Sequence, residues 1–173
     1  MTLAATAAYR PSVRFRRRPD DVYGTVRARA LDAASFVRPA AEHPDVCGVV
    51  VDIVQGGGSA TVIALADGTT SMYTSGGGGT VGAGGHAPVA EATRRLLLVA
   101  QGVVSAFGPG VDGALPDVGN VRFHVLTPSG VRAADVPDGV FWGQERHPLV
   151  PLVGAAQDVI SRIREVGGAR TAG

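Results

Sequence analysis

The residues Ala60-Thr61-Val62-Ile63-Ala64-Leu65-Ala66-Asp67-Gly68-Thr69-Thr70-Ser71-Met72-Tyr73-Thr74-Ser75 decide the fold class. Two runs rich in β-branched and aromatic residues flank Asp67-Gly68, and glycine takes the positive φ that a primed hairpin turn needs. The stretch therefore predicts two antiparallel strands. A loop from Gly76 to Gly85 follows, with seven glycines, and then an apolar-periodic run from Pro88 to Phe107. Strand, glycine loop and helix in that order form the unit around which the other segments are placed.

Upstream, Val49-Val50-Val51-Asp52-Ile53-Val54 reads as a strand. Its near-continuous apolar run suits a central position covered on both faces. Asp52 interrupts that run. A buried carboxylate demands a partner, and the commoner arrangement turns such a residue to the polar side. Gln55-Gly56-Gly57-Gly58-Ser59 turns the chain back into the strand at Ala60. Residues 20–38 read as a helix. Asp20 or Asp21 can cap it, Val22, Val26, Ala30, Ala33, Ala34 and Val37 recur at helical spacing, and Arg27, Arg29 and Arg38 lie off that stripe. Pro39 stops it.

Downstream, the helix from Pro88 presents Val89, Ala92, Leu96, Val99, Val103 and Phe107 on one face. Leu96-Leu97-Leu98-Val99 widens its apolar surface beyond a single stripe, as in a helix covered on a second side. Gly108-Pro109-Gly110 ends it, and residues 108–119 read as a turn-rich connection. Val121–Leu126 and Val131–Val136 read as strands joined at Pro128-Ser129-Gly130. A last helix opens at Pro148 and ends at Gly167-Gly168. The expected class is α+β, in the order α-β-β-β-α-β-β-α. Its sheet is a mainly antiparallel five-stranded one with helices packed on it. The organisation is an arginine-rich N-terminal arm (1–19), a single domain (20–166) and a flexible tail (167–173).

With 173 residues, 45% of them apolar, the chain can bury a core of its own. Cys47 is the single cysteine, which rules out an internal disulfide and fits a reducing, cytoplasmic setting. No run is long and apolar enough to span a membrane. All 16 basic residues are arginine, a bias that points to a GC-rich, bacterial coding sequence rather than to arginine chemistry. The net charge of +1 is unevenly spread. Residues 1–38 hold eight arginines against three acids, and the remainder eight against twelve.

Three groups of residues are candidates for a site. Gly77, Gly78, Gly79, Gly82, Gly84, Gly85 and His86 form a loop whose bare N–H groups, next to a helix N-terminus, could cradle an anion. The loop lacks the Gly-Lys-Ser/Thr ending of a phosphate-binding loop and the spacing of the dinucleotide fingerprint. A plain connection is its other reading. His86, His124 and His147 could form a polar cluster if the fold gathers them, although no pair has metal-ligand spacing. Arg14, Arg16, Arg17 and Arg18 could contact nucleic acid or an acidic protein partner, or belong to a solvated tail. No nucleophile elbow, paired carboxylates or Cys-x-x-Cys occurs, so no catalytic residue, metal or cofactor is expected.

The element order, together with Ala66-Asp67-Gly68, a strand ending Thr74-Ser75 and the apolar helix Pro88–Phe107, resembles the roadblock/longin-like (profilin-like) group over residues 47–107. The resemblance implies a small dimerising regulator or scaffold, often acting beside a small GTPase, with no catalytic residues. The expected function is a non-enzymatic interaction module, a homo-oligomer or the partner of another protein. The alternative is a small-ligand or anion-binding protein, an enzyme among the options, built on residues 76–86.

Overall fold

The computed structural model describes residues 19–110, 113–144 and 146–171. Seven strands form one sheet: β1 (Gly48–Gln55), β2 (Gly58–Leu65), β3 (Thr70–Thr74), β4 (Gly79–Thr80), β5 (Gly108–Pro109), β6 (Asn120–Thr127) and β7 (Gly130–Pro137). Their order is β4-β3-β2-β1-β6-β7-β5, and every neighbouring pair is antiparallel. Four helices accompany the sheet: α1 (Pro19–Leu31), α2 (Ala87–Val103), α3 (Asp138–Phe141) and α4 (Val150–Thr171). The α+β class and the antiparallel sheet match expectation, but the count of five strands and the order α-β-β-β-α-β-β-α do not, since β4, β5 and the one-turn helix α3 are added. The two extra strands are two-residue edge pairs, Gly79–Thr80 on β3 and Gly108–Pro109 on β7. Segments that short carry no periodicity, and their glycine and proline content reads as turn.

β1 occupies the middle of the sheet, and Val49, Val50 and Val51 are fully buried. The strand alternation divides their side chains between two cores. On one face Val49, Val51, Val62, Phe123 and Val125 pack with Leu96 of α2 and Leu152, Val159 and Ile163 of α4. On the other, Val50, Ile63, Leu65, Cys47 and Leu126 pack with Ala30 of α1 and with Ala33 and Val37 just beyond it. Each large side chain buried in this way contributes about 1.5–3 kcal/mol. The wide apolar surface of α2 is absorbed by α4: Leu96 and Leu97 are both buried where the two helices pack together.

Three local readings are corrected. The Asp67-Gly68 turn is not a primed two-residue turn, because no described non-glycine residue has positive φ. Gly68 alone has it, at 89°, after Ala66 and Asp67, which is the longer hairpin loop ending in a left-handed glycine. Asp67 Oδ1 accepts from the Thr69 N–H at 2.9 Å and braces the turn. The first helix ends at Leu31 and gives way to a 3-10 turn at Ala33–Ser35, so it does not run on to Arg38. The last helix starts at Val150 and continues through Gly167-Gly168 to Thr171. Gly167 serves close packing there, since a Cβ on it would come within 2.8 Å of Thr80 Oγ1 on β4.

Gly84 has the tightest such role. A Cβ at this position would lie 1.9 Å from the carbonyl oxygen of Gly68, so the start of α2 is pressed onto the β2–β3 hairpin. Thr70 and Thr93, whose hydroxyls are 2.8 Å apart, join β3 to α2 on the same side. A Cβ on the neighbouring Gly85 would meet nothing within 4 Å. Gly84→Ala should therefore cost on the order of 3 kcal/mol through overpacking, while Gly85→Ala stays within about 0.5 kcal/mol of the parent. Urea melts of the two single variants check this; equal loss in both would show that backbone crowding at Gly68 is not the constraint.

Candidate functional site

The polar centre of the molecule lies between α1 and the sheet. Asp52 of β1 stands opposite Thr61 of β2 and Arg122 of β6, while His124 is two residues further along β6 on the same face. Asp52 is fully buried. Arg27 reaches it from α1 with Nε donating to Oδ1 at 2.9 Å and Nη2 to Oδ2 at 2.5 Å, a bidentate pair. Thr61 Oγ1 donates to Oδ1 at 2.6 Å, and its oxygen lies 2.7 Å from the Tyr23 hydroxyl. His124 Nε2 lies 2.9 Å from Oδ2. The other His124 nitrogen, Nδ1, is buried without a hydrogen-bond partner among the described residues.

The same guanidinium ties down the loop before β6. Arg27 donates through Nη1 to the Gly113 carbonyl and through Nη2 to the Ala114 carbonyl. Arg122 donates to that Ala114 oxygen at 2.9 Å and pairs with Asp135 of β7 at 2.6 Å. Burial by itself would push the Asp52 carboxyl up. The hydrogen bonds from His124, Arg27 and Thr61 and the charge of Arg27 outweigh burial and hold it below the ordinary carboxylate range. Every acceptor site of Asp52 faces an internal donor, so the arrangement clamps α1 to the sheet and presents no free base to solvent.

This clamp corrects the reading of α1. Among residues 22–31, the buried side chains of the helix are Tyr23, Arg27 and Ala30, while Val22 is 48% exposed and Val26 only half-buried. The inward face is rotated from the expected apolar stripe so that Arg27 meets Asp52. Asp52 in turn points into the interior and not to a polar side. The sequence carried one signal for the pair: a lone acid inside an apolar strand requires a buried cation or donor.

The glycine loop is a folded connection. The N–H groups of Gly77, Gly78, Gly82, Gly85 and His86 donate to the Thr74 carbonyl, Thr74 Oγ1, Ser71 Oγ, the Gly82 carbonyl and the Ala83 carbonyl. Gly79 pairs with Tyr73 in the sheet, and a Cβ on it would come within 2.4 Å of the Met72 carbonyl oxygen. Gly82 adopts φ 69°. Turn geometry, an edge strand and close backbone approach thus account for these glycines.

The three histidines lie apart. His124 is in the clamp. His86 precedes α2 and His147 precedes α4, on the opposite side of the sheet. His147 Nδ1 accepts from the Leu149 N–H at 3.1 Å in the turn that leads into α4. Among the described residues no group of three or more His, Cys, Asp or Glu side chains could hold a metal ion. Arg14, Arg16, Arg17 and Arg18 lie outside the described residues. Cys47 is buried under the turn that follows α1, and burial pushes its thiol up. No described helix is long and apolar enough to cross a membrane.

Removing the carboxylate leaves Arg27 buried without its counter-charge. Asp52→Asn should cost roughly 3–5 kcal/mol, on the order of 10 °C in Tm for a chain of this size. The pH dependence has a definite sign. A carboxyl whose folded pKa is depressed stabilises above its unfolded pKa of about 3.9 and loses that contribution as pH falls through the folded value. The stability gap between parent and Asp52→Asn should therefore close on acidification below about pH 4. Calorimetry from neutral to acid pH checks it, and a gap that stays constant would remove the ionised pair from the account.

No family model matches the sequence, and no curated protein or solved structure is significantly similar to it.

Proposed function

We propose that this chain is a non-enzymatic interaction or regulatory module that works as a homodimer through the face carrying α1. The supporting observation is where its exposed apolar side chains fall. Val22 (48% exposed) lies on α1 and Phe36 (53% exposed) just beyond it, and Leu115 and Val118 (78% exposed) lie in the loop held by Arg27. These are four of the seven large exposed apolar side chains among the described residues. Val22 and Phe36 also line two adjoining grooves between α1 and β3, which share Tyr73. Exposed apolar groups rimmed by polar ones mark interaction surfaces. The outward surface of α2 offers less, because Leu96 and Leu97 are buried where α4 packs and Leu98 is half-buried.

Both sheet edges are two-residue strands, which leaves little backbone for another chain to pair with. Association through a face suits this architecture better than strand addition. A dimerising regulator is also what the resemblance to the roadblock/longin-like group implies. Light scattering over a wide concentration range should find a dimer. The double variant Val22→Ser, Phe36→Ser should dissociate it with a Kd at least about tenfold weaker, and with the Tm of the separated monomer preserved. A parent protein that stays monomeric at every concentration would exclude the dimer.

A further inference from the structure

On the other face of the sheet, where the β1–β2 hairpin meets α3 and α4, lies a cavity of about 370 Å³. That is within the range of roughly 300–1,000 Å³ occupied by small-molecule sites. Ile53 of β1, Met72 of β3 and Ile160 of α4 give it an apolar floor, and Trp142 and Arg164 stand in its wall. The tryptophan is held in place. Its ring meets Phe141 edge-on at 5.1 Å, Phe141 is buried in the core, and the Phe141 carbonyl accepts a hydrogen bond from Gln157 of α4. Trp142 is nonetheless 45% exposed, although it is the chain's single tryptophan and one of its largest apolar surfaces.

Arg164 gives the cavity its sign. Arg164 makes no hydrogen bond or ion pair among the described residues. The acids nearest on its helix are already engaged: Asp158 pairs with Arg95 and Arg162, and Glu165 pairs with Arg162. No acidic side chain among the described residues lines the cavity. A planar apolar surface, an apolar floor and one guanidinium without an ion pair among the described residues select a flat apolar body carrying a single carboxylate. The ring would stack on the indole, and the carboxylate would take the bidentate fork of arginine. A polyphosphate would need more cations or a nest of N–H groups, and in the neighbouring glycine loop the N–H groups of Gly77, Gly78, Gly82, Gly85 and His86 are bonded internally.

We propose that this cavity is a binding site for a small aryl carboxylate, with Trp142 as the stacking surface and Arg164 as the anion anchor. It rests on no part of the dimer reading, since neither residue lies on the α1 face. The single tryptophan makes it directly measurable. Titrated with 3-phenylpropanoate, Trp142 emission should change saturably and the melting temperature should rise. The isosteric 3-phenylpropanamide and the cationic 3-phenylpropylamine should do neither. Arg164→Gln, which removes no hydrogen bond or ion pair among the described residues, should weaken 3-phenylpropanoate binding at least tenfold with unchanged circular dichroism. Arg162→Gln, whose guanidinium is tied to Asp158 and Glu165, should leave it unaltered. The proposal is overturned by a linear, non-saturating response, by equal responses to the acid, amide and amine, or by full affinity in Arg164→Gln.

Discussion

The bidentate bond between Arg27 and Asp52 is the constraint on which one whole layer of this protein depends. α1 offers few buried apolar side chains of its own, namely Tyr23 and Ala30. Burial on that scale stabilises a helix only modestly, and isolated helices of this length are marginal in water. The charged pair supplies what the apolar surface does not. It also extends beyond two residues, because Thr61, Tyr23 and His124 are bonded into it and the Gly113 and Ala114 carbonyls receive the rest of the guanidinium. One side chain thereby joins α1, three strands' worth of sheet face and the loop before β6. Burying such a pair costs solvation, and the full set of hydrogen bonds is what offsets that cost.

The two faces of the sheet are consequently held by different physics. The α2/α4 face is closed by leucine, valine, isoleucine and phenylalanine, and it forms the larger core. The α1 face has a smaller apolar cluster around Val50, Ile63 and Leu126 beside a polar centre. A polar centre demands directional contacts, so it fixes the position of α1 more narrowly than apolar packing does. It also leaves apolar side chains such as Val22 and Phe36 outside, because the helix is turned to satisfy Arg27 and not to hide its valines.

Much of the fold was legible from residue pattern. The continuous valines of β1 announced a central strand, and Asp67-Gly68 and Gly56-Gly57 marked two hairpins. The leucine-rich stretch Leu96–Val99 signalled a helix covered on more than one side. Long, strongly patterned segments are readable because their local preference and their tertiary role agree. The failures share a cause as well. β4 and β5 exist only because a neighbouring strand offers unpaired backbone groups, and Gly167-Gly168 lies within α4, where Thr80 leaves no room for a Cβ at Gly167. The orientation of α1 was lost for the same reason, since Asp52 and Arg27 are 25 residues apart and only the fold makes them partners. As for the candidate site, the glycines were visible but their bonding was not. Trp142 and Arg164 meet only through the packing of α3 and α4.

The junction between β1 and β6 has a kinetic side. From β1 through α2 each element contacts the one that follows it or lies close in sequence, and β6 and β7 form a second local hairpin. The two blocks meet in the sheet only where Gly48–Ile53 pairs with Val121–Leu126. Closing that pairing encloses about seventy residues, and the entropy of such a loop must be met before any contact across it stabilises the chain. Arg27, Asp52, Thr61 and Tyr23 belong to α1, β1 and β2, whereas His124 reaches Asp52 only with β6. The pairing of β1 with β6 therefore completes the clamp by bringing His124 to a carboxylate that α1 and β2 can already reach.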